Sequence, residues 1–130
     1  MIIMDIEILK DITVLYVEDE LDLKDVTENF LSNIIGRVVS HDNGLDALNC
    51  FNEDSFDIVV TDINMPKLNG VELIKEIKKV NPSIPIIVTT AYNNEQQLKE
   101  LYDAGMDEYI MKPIDLMQLV EKIIEAAKKN

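Results

Sequence analysis

The sequence predicts an α/β domain built on one open, five-stranded parallel sheet with helices on both faces. Three observations predict it. Short β-branched apolar runs alternate five times with apolar stripes at spacings of three and four, the periods of strand and helix. The segments between them are short, so each strand hands over directly to a helix and each helix to the next strand. At 130 residues the chain has the length of one domain, and five strand-helix units in one domain assemble as a parallel sheet covered on both sides.

Each element follows in order. Thr13–Val17 is a β-branched run ending in the acidic cluster Glu18, Asp19 and Glu20, and it reads as a buried strand. Leu23, Val26, Phe30, Leu31, Ile34 and Ile35 form the stripe of an amphipathic helix, with Gly36 as its stop. Arg37–His41 is a second strand, and Asn43-Gly44 starts a helix carrying Leu45, Ala47, Leu48 and Phe51. Asp57–Thr61 is the third strand, running into Asp62 and the turn-rich segment from Asn64 to Gly70. Val71, Leu73, Ile74, Ile77 and Val80 give the third helix, closed by Asn81-Pro82 because proline cannot continue a helix. Ile84–Thr90 is the most continuous apolar run, which predicts the central strand, covered on both faces. Leu98, Leu101 and Tyr102 lead to a glycine stop at Gly105. Glu108–Met111 is a short fifth strand, broken by Lys112-Pro113. Asp115 N-caps the last helix, whose Leu116, Leu119, Val120, Ile123, Ile124 and Ala127 share one face, while Lys128 and Lys129 suit its C-terminal dipole. Residues 1–11 read as a leader ahead of a domain at 12–130, apolar at Ile2, Ile3, Ile6, Ile8 and Leu9 and expected to pack on the sheet's edge.

Composition narrows the function. At 47% hydrophobic residues the chain can build a core without disulfide or structural metal. Twelve basic against 25 acidic residues leave a net charge of −13, a sign that repels phosphate backbones and anionic membranes, so neither direct nucleic-acid binding nor membrane binding is expected. The single Cys50 cannot form an internal disulfide, and with the lone His41 it is too little for zinc. Both read as ordinary structural residues. The N-terminus carries Asp5 and Glu7 and no apolar run of signal-peptide length, and no stretch approaches the 18 apolar residues of a spanning helix. The expectation is a soluble, cytoplasmic protein.

In open parallel sheets ligands bind beyond the carboxyl ends of the strands. Here those ends carry Glu18 and Asp19, Asp62, Thr90 and Lys112, side chains that the fold brings to one rim. Carboxylates packed there repel one another by about 4 kcal/mol per close pair at an effective dielectric of 20, so the nest wants a cation. An oxygen-only ligand set without His or Cys suits a hard ion, and a few carboxylates completed by water and phosphate oxygens suit Mg²⁺ better than Ca²⁺. One carboxylate of such a set can act as nucleophile toward a phosphoryl group, with Lys112 and the metal neutralising the charge that develops on the transferred oxygens.

Four segments, Tyr-Val-Glu-Asp-Glu at 16–20, Val-Thr-Asp-Ile-Asn-Met-Pro at 60–66 with Gly70, Val-Thr-Thr-Ala at 88–91 and Tyr-Ile-Met-Lys-Pro at 109–113, strongly resemble the receiver domain of two-component response regulators. The resemblance covers about residues 12–128. It implies the flavodoxin-like receiver fold with strand order 2-1-3-4-5 and makes Asp62 the phosphoacceptor. Asp19 and Asp62 would ligate Mg²⁺ with the backbone carbonyl of Asn64, Glu18 joining directly or through water. Thr90 would bind a phosphoryl oxygen, Tyr109 would be a rotamer switch, Lys112 would pair with the phosphate, and the Lys112–Pro113 bond would be cis. It implies as partner a sensor histidine kinase or phosphotransfer protein, docking near Leu21–Leu31. It also implies an output face formed by the fourth helix, fifth strand and fifth helix around Lys99, Asp103, Glu108 and Tyr109, used by an effector domain or in a homodimer. The family more often has two Asp where this chain has Glu18 and Asp19.

Each residue taken singly has a plainer reading. Glu18–Glu20 could serve only the dipole of the following helix, Asp62 an Asx-turn, Thr90 and Tyr109 strand packing, and Lys112 a solvated surface. Rival classes fit less well. A flavodoxin-like FMN carrier needs a donor-rich loop after the first strand, where this chain has three acids. A haloacid-dehalogenase-type phosphatase wants a second Asp two positions after the nucleophile, where this chain has Asn64. A pseudo-receiver would lack some of the residues that are present here.

Overall fold

Parallel pairing throughout the sheet brings the strand ends into line. The computed structural model describes residues 6–91 and 94–129. Its strands are β1 Thr13–Val17, β2 Arg37–His41, β3 Ile58–Asp62, β4 Ile86–Thr90 and β5 Glu108–Met111, paired in the order β2-β1-β3-β4-β5 with every pair parallel. Register aligns Val17 with His41 and Thr61, and Asp62 with Thr89, so the residues following β1, β3, β4 and β5 emerge at one end of the sheet.

Five α-helices alternate with the strands: α1 Leu21–Ser32, α2 Gly44–Glu53, α3 Gly70–Val80, α4 Glu95–Ala104 and α5 Leu116–Lys128. Most start on a polar cap. Asn43, Asn94 and Asp115 accept backbone N–H groups of the first turns of α2, α4 and α5, and Asn69 with Glu72 forms a full capping box on α3. A cap of this kind contributes about 1 kcal/mol. Glu20, at the head of α1, makes no side-chain cap. Gly105 ends α4 at φ 122°, in the region that favours glycine.

Alternation along the strands divides the core. Leu15, Val17, Val59, Ile86 and Val88 face α2, α3 and α4, meeting Phe51, Leu73, Ile74, Ile77 and Leu101. Val14, Tyr16, Ile58, Val60, Ile87 and Ile110 face Leu31 of α1 and Leu119, Val120, Ile123 and Ile124 of α5. Strands buried on both faces need apolar residues at successive positions, which is why β3 and β4 read as unbroken runs. Truncating a fully buried residue such as Ile74 to Ala should cost about 2–5 kcal/mol.

Several sequence expectations shift. The most continuous run is covered on both faces, but it is β4, second from the edge. The central strand is β3. Run length reports coverage and not position. Its first residues, Ile84 and Pro85, precede the strand, and Asp57 is likewise a lead-in to β3. Ile34 and Ile35 lie beyond the end of α1. Val26 is 59% exposed while Thr27 is fully buried, because α1 turns the Leu23–Thr27–Leu31 side inward. Leu45, Val80 and Tyr102 also face outward. Ile6–Asp11 of the expected leader is a 3-10 helix at the amino end of the sheet, with Leu9 fully buried in the α1/α5 layer. The Leu9 carbonyl accepts the Gly36 N–H at 2.8 Å. Residues 1–5, including Ile2 and Ile3, lie outside the described residues.

Candidate phosphoacceptor and metal site

Three strand ends build the site. β1 runs straight into Glu18 and Asp19, β3 ends on Asp62, and β5 is followed at once by Lys112. Glu18 is fully buried and Asp62 nearly so, while Asp19 is exposed. One carboxylate oxygen from each of the three lies within 4.8 Å of the others. The Lys112 Nζ stands 3.1 Å from Asp62 Oδ2, to which it donates, and 2.9 Å from Glu18 Oε1, an ion pair without the alignment of a hydrogen bond. The second oxygens bond to the backbone: Glu18 Oε2 accepts the Glu20 N–H at 3.1 Å and Asp62 Oδ1 the Ile63 N–H at 2.7 Å.

Two of the three carboxylates, Glu18 and Asp62, share the Lys112 ammonium. Burial pushes the Glu18 carboxyl above the usual carboxylate range; Lys112 opposes that rise and Asp62 adds to it. For Lys112 burial works against the charged form, but the carboxylates of Glu18 and Asp62 outweigh it and hold the ammonium above its ordinary value. Glu18 Oε1 is therefore a desolvated acceptor without a hydrogen bond, in an all-oxygen donor set. That set fits a hard divalent cation.

The remaining sequence candidates lie on β2, β4, β5 and α2 and in the loops after β3 and β5. Thr90 closes β4 with 1% exposure, and its carbonyl accepts the Lys112 N–H at 2.7 Å, tying the two strand ends together. The Lys112–Pro113 peptide is cis. Asn64 is exposed in the loop after β3, two residues beyond Asp62. Tyr109 is half-buried on the α2/α3/α4 side of the sheet. His41 ends β2, and Cys50 sits part-buried on α2, where burial raises its thiol pKa; neither joins the acidic group.

Sequence reading missed what presses on the loop from outside. A Cβ at Gly70 would lie 2.4 Å from the Asp62 carbonyl oxygen, so the start of α3 packs directly on the backbone of Asp62. The signal was present as the glycine closing the 60–70 segment.

The profile of the response regulator receiver domain family matches residues 14–124, and the chain belongs to that family. Over 117 residues it is 35% identical to the transcriptional regulatory protein ZraR of Klebsiella oxytoca, a match that covers 90% of this chain and 26% of that protein. The chain thus spans about a quarter of the length of that relative. It is 32% identical over 117 residues to chemotaxis protein CheY-3 of Vibrio cholerae, covering 88% of this chain and 90% of that one. A CheY-like response regulator receiver domain protein from Methanospirillum hungatei JF-1 has the same fold with a TM-score of 0.86 at 28% identity, covering 90% of this chain and 94% of that one. The chain is a signalling receiver of the two-component class, and its acidic cluster can hold a metal ion. No helix among the described residues is long and apolar enough to cross a membrane.

Proposed function

We propose that this receiver accepts a phosphoryl group on Asp62 from a histidine kinase or phosphotransfer protein and changes conformation to control an output partner. The observation that carries the reading is the pairing of a nearly buried Asp62 with Lys112 at 3.1 Å, beside two further carboxylates at the carboxyl end of a parallel sheet. A carboxylate oxygen of Asp62 would form a bond to phosphorus as the phosphorus–nitrogen bond of the donor phosphohistidine breaks, its electron pair leaving with the imidazole, which takes a proton from solvent. Attack by water on the acyl phosphate would release inorganic phosphate and restore Asp62. This self-dephosphorylation is the chain's own slow reaction, and no other turnover is proposed.

Glu18, Asp19, Asp62 and the backbone carbonyl of Asn64 are the residues that would hold Mg²⁺. Bound there, the ion would neutralise charge on the transferred oxygens and let donor and acceptor anions approach. Lys112 supplies a fixed positive charge to the same oxygens. The hydroxyl of Thr90 would reach a phosphoryl oxygen, drawing the loop after β4 inward and opening space for Tyr109. That rearrangement would be read on the α4/β5/α5 face, where Lys99 pairs with Asp103 at 3.0 Å and Glu108 with Lys122 at 3.3 Å. A phosphorylated state differs from the free one only through such contacts. Kinase docking on α1 is supported by Leu21 and Val26, both more than half exposed. A cytoplasmic setting follows from these partners.

Intact-mass spectrometry tests the reading. With Mg²⁺ and a small-molecule phosphodonor the chain should gain one phosphoryl group, and Asp62→Asn should gain none. An adduct that persists in the variant would overturn the assignment.

A further inference from the structure

Gly44 opens α2, and its backbone does not enter the left-handed region, so no conformational demand calls for glycine there. Space does. A Cβ at Gly44 would stand 2.0 Å from the Leu68 carbonyl oxygen and 2.9 Å from Leu68 Cβ, and a backbone carbonyl cannot swing aside as a flexible side chain would.

Both sides of this contact are held. Asn43, nearly buried, accepts the Asp46 N–H at 2.8 Å and donates to the carboxylates of Asp42 and Asp46 at 2.9 Å each, which fixes the first turn of α2. Across from it, Leu68 belongs to the loop 63–69. That loop is closed at its base by the Gly70 N–H donating to the Ile63 carbonyl at 2.6 Å, and is kinked inside by a Leu68 N–H bond to the Pro66 carbonyl at 2.8 Å, with Lys67 at φ 71°. Asp62 lies before the base, anchored in β3. Asn64 lies inside the closed loop. A push on the Leu68 carbonyl therefore tilts the loop about Ile63 and Gly70 and moves Asn64 relative to Asp62.

We infer that Gly44 is a positioning residue for the cation site: its close packing on the Leu68 carbonyl holds loop 63–69, and with it the Asn64 backbone carbonyl, where it can share a divalent cation with Asp62. The inference rests on the proposed reading in which Asp62 and Asn64 are cation ligands. Residues that orient metal ligands from outside typically change affinity by about 10- to 100-fold when altered, and Gly44 acts in this way through the loop backbone.

The test is calorimetric titration of the full chain with Mg²⁺ alone, in the wild type, Gly44→Ala and Leu45→Ala, together with urea unfolding of each without Mg²⁺. Gly44→Ala should bind Mg²⁺ about 10-fold more weakly while still folding. Leu45→Ala, altered at the next, exposed position, should bind like the wild type. A glycine that merely packs would lower the urea midpoint and leave the affinity alone, so a folded Gly44→Ala chain with wild-type affinity overturns the inference while leaving the functional reading intact. If Gly44→Ala does not fold, Asn43→Ala takes its place. It frees the α2 start without adding an atom and should also weaken binding, whereas unchanged affinity overturns the inference. A wild-type chain that binds no Mg²⁺ overturns the functional reading and this inference with it.

Discussion

At the amino end of the sheet Asp57 and Asp107 each close a two-bond ring with a neighbouring strand. The Thr13 N–H donates to Asp57 Oδ2 and the Asp57 N–H to the Thr13 carbonyl, both at 2.8 Å. The Ile86 N–H donates to Asp107 Oδ2 at 2.8 Å and the Asp107 N–H to the Ile86 carbonyl at 2.9 Å. Lys78 joins the second ring, 3.2 Å from Asp107 and donating to the Ile84 carbonyl at 2.7 Å, and Arg37 pairs with Asp54 nearby at 2.6 Å. At the carboxyl end Glu18 and Asp62 both pair with Lys112, and Asp19 stands beside them. The same residue types are thus used in two ways. Carboxylates at the amino end have their own donors and staple strands in register, whereas those at the carboxyl end are left with more negative charge than their surroundings neutralise, the condition that favours an added cation.

The largest expected effect breaks the symmetry with metal. Free Mg²⁺ at 100 times its dissociation constant should stabilise the wild-type chain by about 2.7 kcal/mol. The shift should vanish in an Asp19→Asn, Asp62→Asn double variant and survive intact in Asp107→Ala. Urea unfolding with and without Mg²⁺ measures it. A shift that persists in the double variant would place the cation elsewhere.

Next in size is the staple itself. Asp107→Ala leaves the Ile86 N–H without its carboxylate acceptor and Lys78 without its ion-pair partner, at a cost of about 2 kcal/mol. A change below the error of the urea midpoint would show that the ring contributes nothing. The rim should answer with the opposite sign. Without metal, Asp62→Asn removes one of three crowded carboxylates and leaves Lys112 to Glu18, so stability should rise by about 1 kcal/mol. A loss of stability there would mean that the Lys112–Asp62 pair outweighs the repulsion.

Much of this contrast was legible in the sequence, and what was hidden has a physical reason. β1, β2 and β5 have the predicted ends because a charged or proline-bearing segment follows each at once. Asp57 and Pro85 carry a strand pattern but precede β3 and β4, because residues before a first ladder bond look extended in any case. The rim residues Glu18, Asp19, Asp62 and Lys112 were legible because a parallel sheet puts successive strand ends side by side, so that sequence position becomes spatial position. The Asp107 staple was not, since an aspartate's choice between water and a strand N–H depends on register, which local pattern does not carry. Thr27 was hidden by its polarity and Val26 misplaced by its hydrophobicity: a spacing of three or four fits two adjacent helix faces, and packing chooses between them. Gly44 shows in the sequence only as a helix start, because the Leu68 carbonyl that it accommodates is 24 residues further on.

The smallest effect belongs to Arg37 and Asp54, a solvent-facing pair at the amino end. The Arg37 guanidinium holds the Asp54 carboxyl below the usual carboxylate range, helped by the Ser55 N–H. A carboxyl whose folded pKa is depressed contributes stability above its unfolded value and loses that contribution as pH falls through the folded one. The stability difference between the wild type and Arg37→Ala should therefore be constant around neutral pH and shrink on the acid side of the ordinary carboxylate range. Both side chains face solvent, so salt should diminish the difference as well. Urea midpoints of the two chains across an acid-to-neutral series, at low and high ionic strength, measure this. A difference that stays constant through the acid range would show that Arg37 acts by covering the edge strand β2 with its stem and not through Asp54.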